Sequence, residues 1–247
     1  MYNRNRYQVS SPGFGIWKLT TAIKWIIIAN LAVYITELIT YNWLENPSMI
    51  KHLSLIPWSI YPGLEVYQVF TYMWLHDPGS PGHLILNMFA LWMFGTILEE
   101  RWGSITFLKF YVVCGILAGI CVFISGILFG KSDSLTLGAS GAIFAVIIAF
   151  GISMPNLPVY FLGLLPIKAK WIVYTTIGGT VLYWLAKTPG ISISAHIGGM
   201  ISGALIVTGW WNPVRAYKNI KIAYLRRKLK IIEGNKKSDE NPPPIYH

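Results

Sequence analysis

Three short polar clusters interrupt a chain that is otherwise strongly apolar: His83-Leu-Ile-Leu-Asn87, Gly138-Ala139-Ser140-Gly141, and Ala195-His196-Ile197-Gly198-Gly199. A serine hydroxyl beside an imidazole is the minimal set for nucleophilic acyl transfer, with the histidine acting first as base and then as acid. No Asp or Glu lies between Ser140 and Glu233, so a Ser-His-Asp triad in that chain order is excluded and a bare dyad remains. A soluble-hydrolase nucleophile elbow is excluded as well, because position 142 is Ala rather than Gly. Taken singly, each cluster has a plainer reading. Ser140 among Gly and Ala suits close helix packing, as do Gly115-x-x-x-Gly119 and Gly199-x-x-x-Gly203. A metal would need a third ligand; His76 and Asp77 are the nearest candidates, but Asn87 is a poor zinc ligand and the His-Glu-x-x-His pattern is missing. Neither a metal nor any other cofactor is expected.

The elements that must carry these residues are membrane spans. The chain has 247 residues, 54% of them hydrophobic and only 12% charged, with 11 Trp, 14 Tyr and 11 Phe, and a mean hydropathy of +0.50. A soluble domain carries about 25% charged residues, so the composition excludes both a soluble enzyme and a disordered chain. The net charge of +10 reads as a topology signal and an attraction to anionic lipid rather than to nucleic acid. Cys114 and Cys121 lie in one apolar segment and read as packing residues.

Six apolar segments, at 18–39, 83–98, 104–128, 139–154, 169–187 and 191–212, predict an all-α, six-helix membrane bundle. The second and fourth are short for a crossing, which takes about 20 residues. Basic residues collect at one side: Arg4, Arg6, Lys18, Arg101, Lys109, Lys168, Lys170 and the tail. The expectation is therefore cytoplasmic termini at both ends. The organisation is a cytoplasmic segment over 1–17, a membrane domain over 18–212 with a long external loop at 40–82, and a basic tail over 213–247. That loop is rich in aromatic residues, from Trp43 to Trp74, and should lie in the interface. The tail should be a basic surface helix from Tyr217 to Ile232, then disordered. Spans two, four and six all start externally, so His83, Ser140 and His196 arrive at one face at similar depth, each near a helix N-terminus. An intramembrane His such as His196 is itself a functional candidate.

These residues resemble the rhomboid family of intramembrane serine proteases. The likeness rests on His83 and Asn87, on Glu99 with Arg101 and Gly103, on Gly138-x-Ser140-Gly141, and on Ala195-His196-x-x-Gly199-x-x-x-Gly203. It implies that Ser140 is the nucleophile and His196 the general base, and that His83, Asn87 and the Ser140 N–H stabilise the oxyanion. It further implies that Phe144 stacks on His196, and that Gly199 lets spans four and six approach. Glu99 and Arg101 would form a structural brace. The substrate implied is a transmembrane segment of another protein, entering past span five and the cap over 187–194, with Gly178-Gly179 and Pro189-Gly190 as flexible points. Where the family often carries Trp-Arg in the first external loop, this chain has Tyr67-Gln68, and the approach to His83, Asp77 to Gly82, is longer and richer in turn residues. The alternative is a rhomboid-like protein that binds transmembrane clients without cutting them; a transporter would distribute its polar residues along a path. A minimal six-helix form suggests a bacterial cytoplasmic membrane. Substrate identity and oligomeric state are not encoded in any motif.

Overall fold

The computed structural model describes residues 18–130, 133–161, 165–187, 192–209, 217, 221–222 and 224–225. It divides into two units, residues 1–204 and 205–247. The first holds all the candidate residues. In the second, the described residues are mainly helical, with Gly209 at positive φ (72°) closing the helix that ends at Thr208. Residues 1–17, most of the basic tail, and 188–191 with Pro189-Gly190 lie outside the described residues.

Helix α1 (Thr21–Leu38) runs on as a π turn over Ile39–Trp43. The long loop after it is not irregular. It folds into three short helices, α2 (Ser48–Leu53), α3 (Pro57–Ile60) and α4 (Gln68–Thr71), followed by a 3₁₀ turn at Tyr72–Trp74. Helix α5 (Pro81–Ala90) continues through a π turn at Leu91–Gly95 into α6 (Thr96–Trp102), and α7 (Ser104–Leu128) follows. Helix α8 (Ser140–Ser153), a two-stranded hairpin, α9 (Ala169–Leu185) and α10 (Ile193–Thr208) complete the order.

Three of these stretches are long and apolar enough to cross a membrane: Thr21–Trp43 (23 residues), Pro81–Trp102 (22) and Ser104–Leu128 (25). The second is thus a full-length helix, not the short one that hydropathy predicts. Pro81 starts it, since a proline at the first helical position loses no hydrogen bond. It then continues past the apolar run because Glu99 turns its carboxylate toward α1. The Glu99 oxygens accept the N–H groups of Ala22 (2.7 Å) and Ile23 (3.0 Å) and the hydroxyls of Thr20 and Ser104 (both 2.5 Å). A carboxylate from one helix therefore caps the N-terminus of another, satisfying amides that have no acceptor of their own. Arg101 is exposed and takes no part in this brace.

The expected all-α chain also contains an antiparallel hairpin, β1 (Pro158–Phe161) with β2 (Leu165–Lys168), in the register Pro158↔Lys168 to Phe161↔Leu165. The apolar-periodicity reading passes over it because each strand has only four residues, and Pro158 and Pro166 argue against a sheet. In a two-stranded ribbon both strands are edges, where proline is tolerated.

Helix α8 is the centre of the bundle. Ten of its fourteen residues, Gly141–Ile143 and Ala145–Gly151, are buried. A helix apolar all round belongs inside other helices. At about 1.5 Å per residue it is only about 21 Å long, so its ends fall short of a hydrocarbon core about 30 Å thick.

Candidate active site

Ser140 is the first residue of α8, and His196 lies in the first turn of α10. Two glycines set the distance between those helices. A methyl group at Gly199 would sit 1.9 Å from the Gly141 carbonyl oxygen, and one at Gly203 would sit 2.6 Å from the Ala145 oxygen. Backbone therefore meets backbone along this seam, as small residues permit in membranes. The result is a Ser140 Oγ to His196 Nε2 separation of 3.0 Å, within hydrogen-bond reach. With Nε2 accepting from the hydroxyl, the ring proton is on Nδ1. That atom is buried and has no hydrogen-bond partner among the described residues. Among the described residues no carboxylate orients this imidazole. Phe144, one turn along α8 from Ser140, does so by packing: its ring lies 4.0 Å from the His196 ring at an interplanar angle of 10°.

The approach to Ser140 is fixed by the long loop between α1 and α5. Gly138 has φ +119°, in the left-handed region that favours glycine. A side chain there would also strike the His83 ring, at 2.8 Å from Cε1 and 3.1 Å from Nε2. The Gly138 N–H donates to the Tyr72 carbonyl (2.9 Å), and the fully buried Tyr72 hydroxyl donates to the Gly115 carbonyl (2.7 Å). Two residues earlier, Thr136 and Leu55 exchange both backbone hydrogen bonds at 2.9 Å. Gly115 and Gly119 of α7 hence accept the loop rather than a neighbouring span, because added methyls would collide with Met73 and with Tyr72.

His83 and Asn87 stand one turn apart on α5, half-buried and buried respectively. Between them and α1 lies His76, fully buried. Its ring is 5.3 Å from that of His83, its Nε2 is 3.2 Å from Asn87 Nδ2, and its backbone N–H donates to both oxygens of Glu37 at 3.2 and 3.1 Å. The fold thus gathers His83, Gly138, Ser140, Gly141, Phe144, His196 and Gly199 around the start of α8, and ties Asn87 to His83 through His76.

Four residues at or near the site escape the motif reading. His76 registers there only as a conceivable metal ligand, and Glu37 belongs to no motif. Tyr72 is one aromatic among many. Gln68 stands where Trp-Arg is usual, yet it is fully buried and ties separate parts of the loop together. It accepts the Ile56 N–H (2.9 Å) and donates to the His52 carbonyl (3.1 Å) and the Glu65 carboxylate (2.6 Å).

The family model for the "Rhomboid domain" matches residues 63–212, more than half of the chain. Among curated proteins, the chain is similar to "Presenilin-associated rhomboid-like protein, mitochondrial" of Rattus norvegicus. The identity is 28% over 128 residues, covering 49% of this chain and 33% of that one. The human protein of the same name is also 28% identical, with 32% of its length covered, and the Mus musculus one is 27% identical, with 33% covered. The chain thus spans about a third of the length of the curated relatives it matches.

Proposed function

The chain belongs to the rhomboid family of membrane proteins, and we propose that it is a serine endopeptidase that cuts transmembrane segments of other proteins near the external membrane face. The observation that carries this reading is the 3.0 Å separation of Ser140 Oγ and His196 Nε2, with the imidazole held flat on Phe144. In this mechanism Oγ attacks the scissile carbonyl carbon as its proton passes to Nε2. The oxyanion that forms takes hydrogen bonds from His83, Asn87 and the Ser140 N–H, which as a first-turn amide has no acceptor within α8. The imidazolium then gives its proton to the departing amine, leaving an acyl-Ser140. Water enters, loses a proton to the imidazole and attacks the acyl carbon; as the bond to Oγ breaks, the imidazolium returns that proton to Oγ and the carboxylic acid product leaves.

Water is the scarce reactant in a bilayer. In this reading the short α8 starts Ser140 below the external surface, and the irregular backbone before it must line a space that admits water, since unpaired backbone is not tolerated against lipid. In the full topology α1, α5–α6, α7, α8, α9 and α10 are six spans, both termini are cytoplasmic, and the membrane is a bacterial cytoplasmic one. The substrate enters past α9, unwinds locally and offers an extended peptide bond. A family member that binds clients without cutting them would have no use for an imidazole aligned on the hydroxyl.

The test is cleavage of a single-span substrate in liposomes by the purified wild type, Ser140→Ala and His196→Ala, with product masses read out. Cleavage by the wild type alone supports the dyad. Equal behaviour of wild type and Ser140→Ala, whether both cut or both fail while a fluorophosphonate leaves Ser140 unlabelled, would favour the client-binding alternative.

A further inference from the structure

The buried polar chain Glu37–His76–Asn87 has no part in the bond-making steps above. Glu37 has no exposed surface although it sits on an apolar helix, and its carboxylate is directed at the backbone N–H of His76. Burying two such groups is costly unless each is hydrogen-bonded, so the arrangement calls for a purpose at its far end, which is Asn87.

Asn87 can stabilise an oxyanion only with Nδ2 toward it; the carbonyl Oδ1 in the same place would repel the charge. The two ends of a carboxamide are nearly identical in shape, so packing alone does not select between them, but a hydrogen-bond partner does. Nδ2 carries two hydrogens. If one is accepted by a deprotonated ring nitrogen, the other is left to point elsewhere. His76 offers that acceptor at 3.2 Å. Burial, with His83 beside it, holds the His76 imidazolium well below the usual histidine range, so the ring is neutral and Nε2 is free to accept. The ring proton is then on Nδ1, which is buried and has the Trp74 backbone as its neighbouring acceptor.

We propose that His76 is a positioning residue for Asn87: its Nε2 accepts one Nδ2 hydrogen and so aims the other at the oxyanion, while Glu37 holds His76 by its backbone N–H. No bond is made or broken at His76. The proposal rests on the protease reading above and names a contributor that the sequence motifs do not.

The test is a double-mutant cycle on the full chain in liposomes, with thermal stability measured alongside. His76→Leu should lower kcat by about 10²-fold with KM unchanged, the order of loss that a small misplacement produces. The same substitution in an Asn87→Ala background should cost nothing further, because residues that act as one unit are not additive. His76→Gln, whose side-chain oxygen can accept in place of Nε2, should recover most of the loss, and this variant decides the matter if His76→Leu does not fold. Equal costs in both backgrounds, an unchanged kcat, or a Gln variant as poor as Leu would overturn the proposal. A second arm needs no turnover. In ¹⁵N spectra of histidine-labelled protein, His76 Nε2 should be the unprotonated nitrogen, and its signal should move in Asn87→Leu. A protonated Nε2, or a signal indifferent to Asn87, overturns the positioning role. A wild type that cuts nothing overturns only the protease reading and leaves the spectrum to decide this one.

Discussion

The α-carbon of Gly199 faces the carbonyl of Gly141 so closely that one added methyl group would lie 1.9 Å from the oxygen. The neighbour there is backbone, which cannot rotate out of the way. Gly199→Ala must push α10 off α8, and His196 moves with α10. The expected outcome is destabilisation of about 1–3 kcal/mol, the usual penalty of overpacking, and loss of turnover beyond what the stability change explains. Thermal unfolding and cleavage rates of the same preparation separate the two. Gly178→Ala in α9 is the control for stability, since nothing lies within 4 Å of its added methyl; it should stabilise the helix by up to about 1 kcal/mol.

In the proposed mechanism Phe144 stands in for the orienting carboxylate of a triad: its flat apolar ring lies 4.0 Å from the His196 ring, inclined by 10°. Phe144→Ala removes that surface while leaving the hydroxyl and the imidazole in place. The expected result is a kcat about 10- to 10²-fold lower, as for other small errors of alignment, whereas Phe144→Tyr retains most activity. Steady-state kinetics on both variants check this; an Ala variant as fast as wild type would remove Phe144 from the mechanism.

A residue's placement is legible in the sequence where its type announces itself. Ser140, His196, His83 and Asn87 are polar groups in apolar runs, and Gly199 and Gly203 repeat at helical spacing, so their common face follows from helix direction alone. That legibility fails where a role depends on long-range contact. Glu99 ends an apolar run by hydropathy, yet the helix continues to Trp102 because its carboxylate caps α1 seventy-odd positions earlier in the chain. Gly115-x-x-x-Gly119 announces close packing but not its partner, which is the loop residue Tyr72 rather than a span. Gln68 departs from the family's usual residue and still ties the loop together. The hairpin at 158–168 is hidden by its own prolines.

Gln68 gives the third prediction. Its side chain satisfies the Ile56 N–H and the His52 carbonyl across the loop. Gln68→Leu keeps the volume but removes the partner of both part-buried backbone groups, at a cost toward the low end, about 1 kcal/mol each. The loop should open first, so limited proteolysis between α2 and α4 should accelerate more than global unfolding does. Unchanged proteolysis would show that Leu55 and Thr136 hold the loop without it.

His76 sets an acid limit on the fold. It lies between the helices, in the turn before Pro81, and burial, then the neighbouring His83, pushes its pKa from 6.5 down to about 3. The folded protein therefore resists a proton that the unfolded chain accepts. Stability rises with pH wherever the unfolded state binds more protons, so this contribution is complete above the unfolded value of 6.5 and is lost progressively as pH falls from there toward 3. In His76→Gln the group no longer titrates. Melting temperatures measured from pH 7 down to pH 4 should accordingly fall less steeply for this variant than for wild type, even if it is the less stable of the two at neutral pH. Parallel slopes would mean that another buried group sets the acid limit.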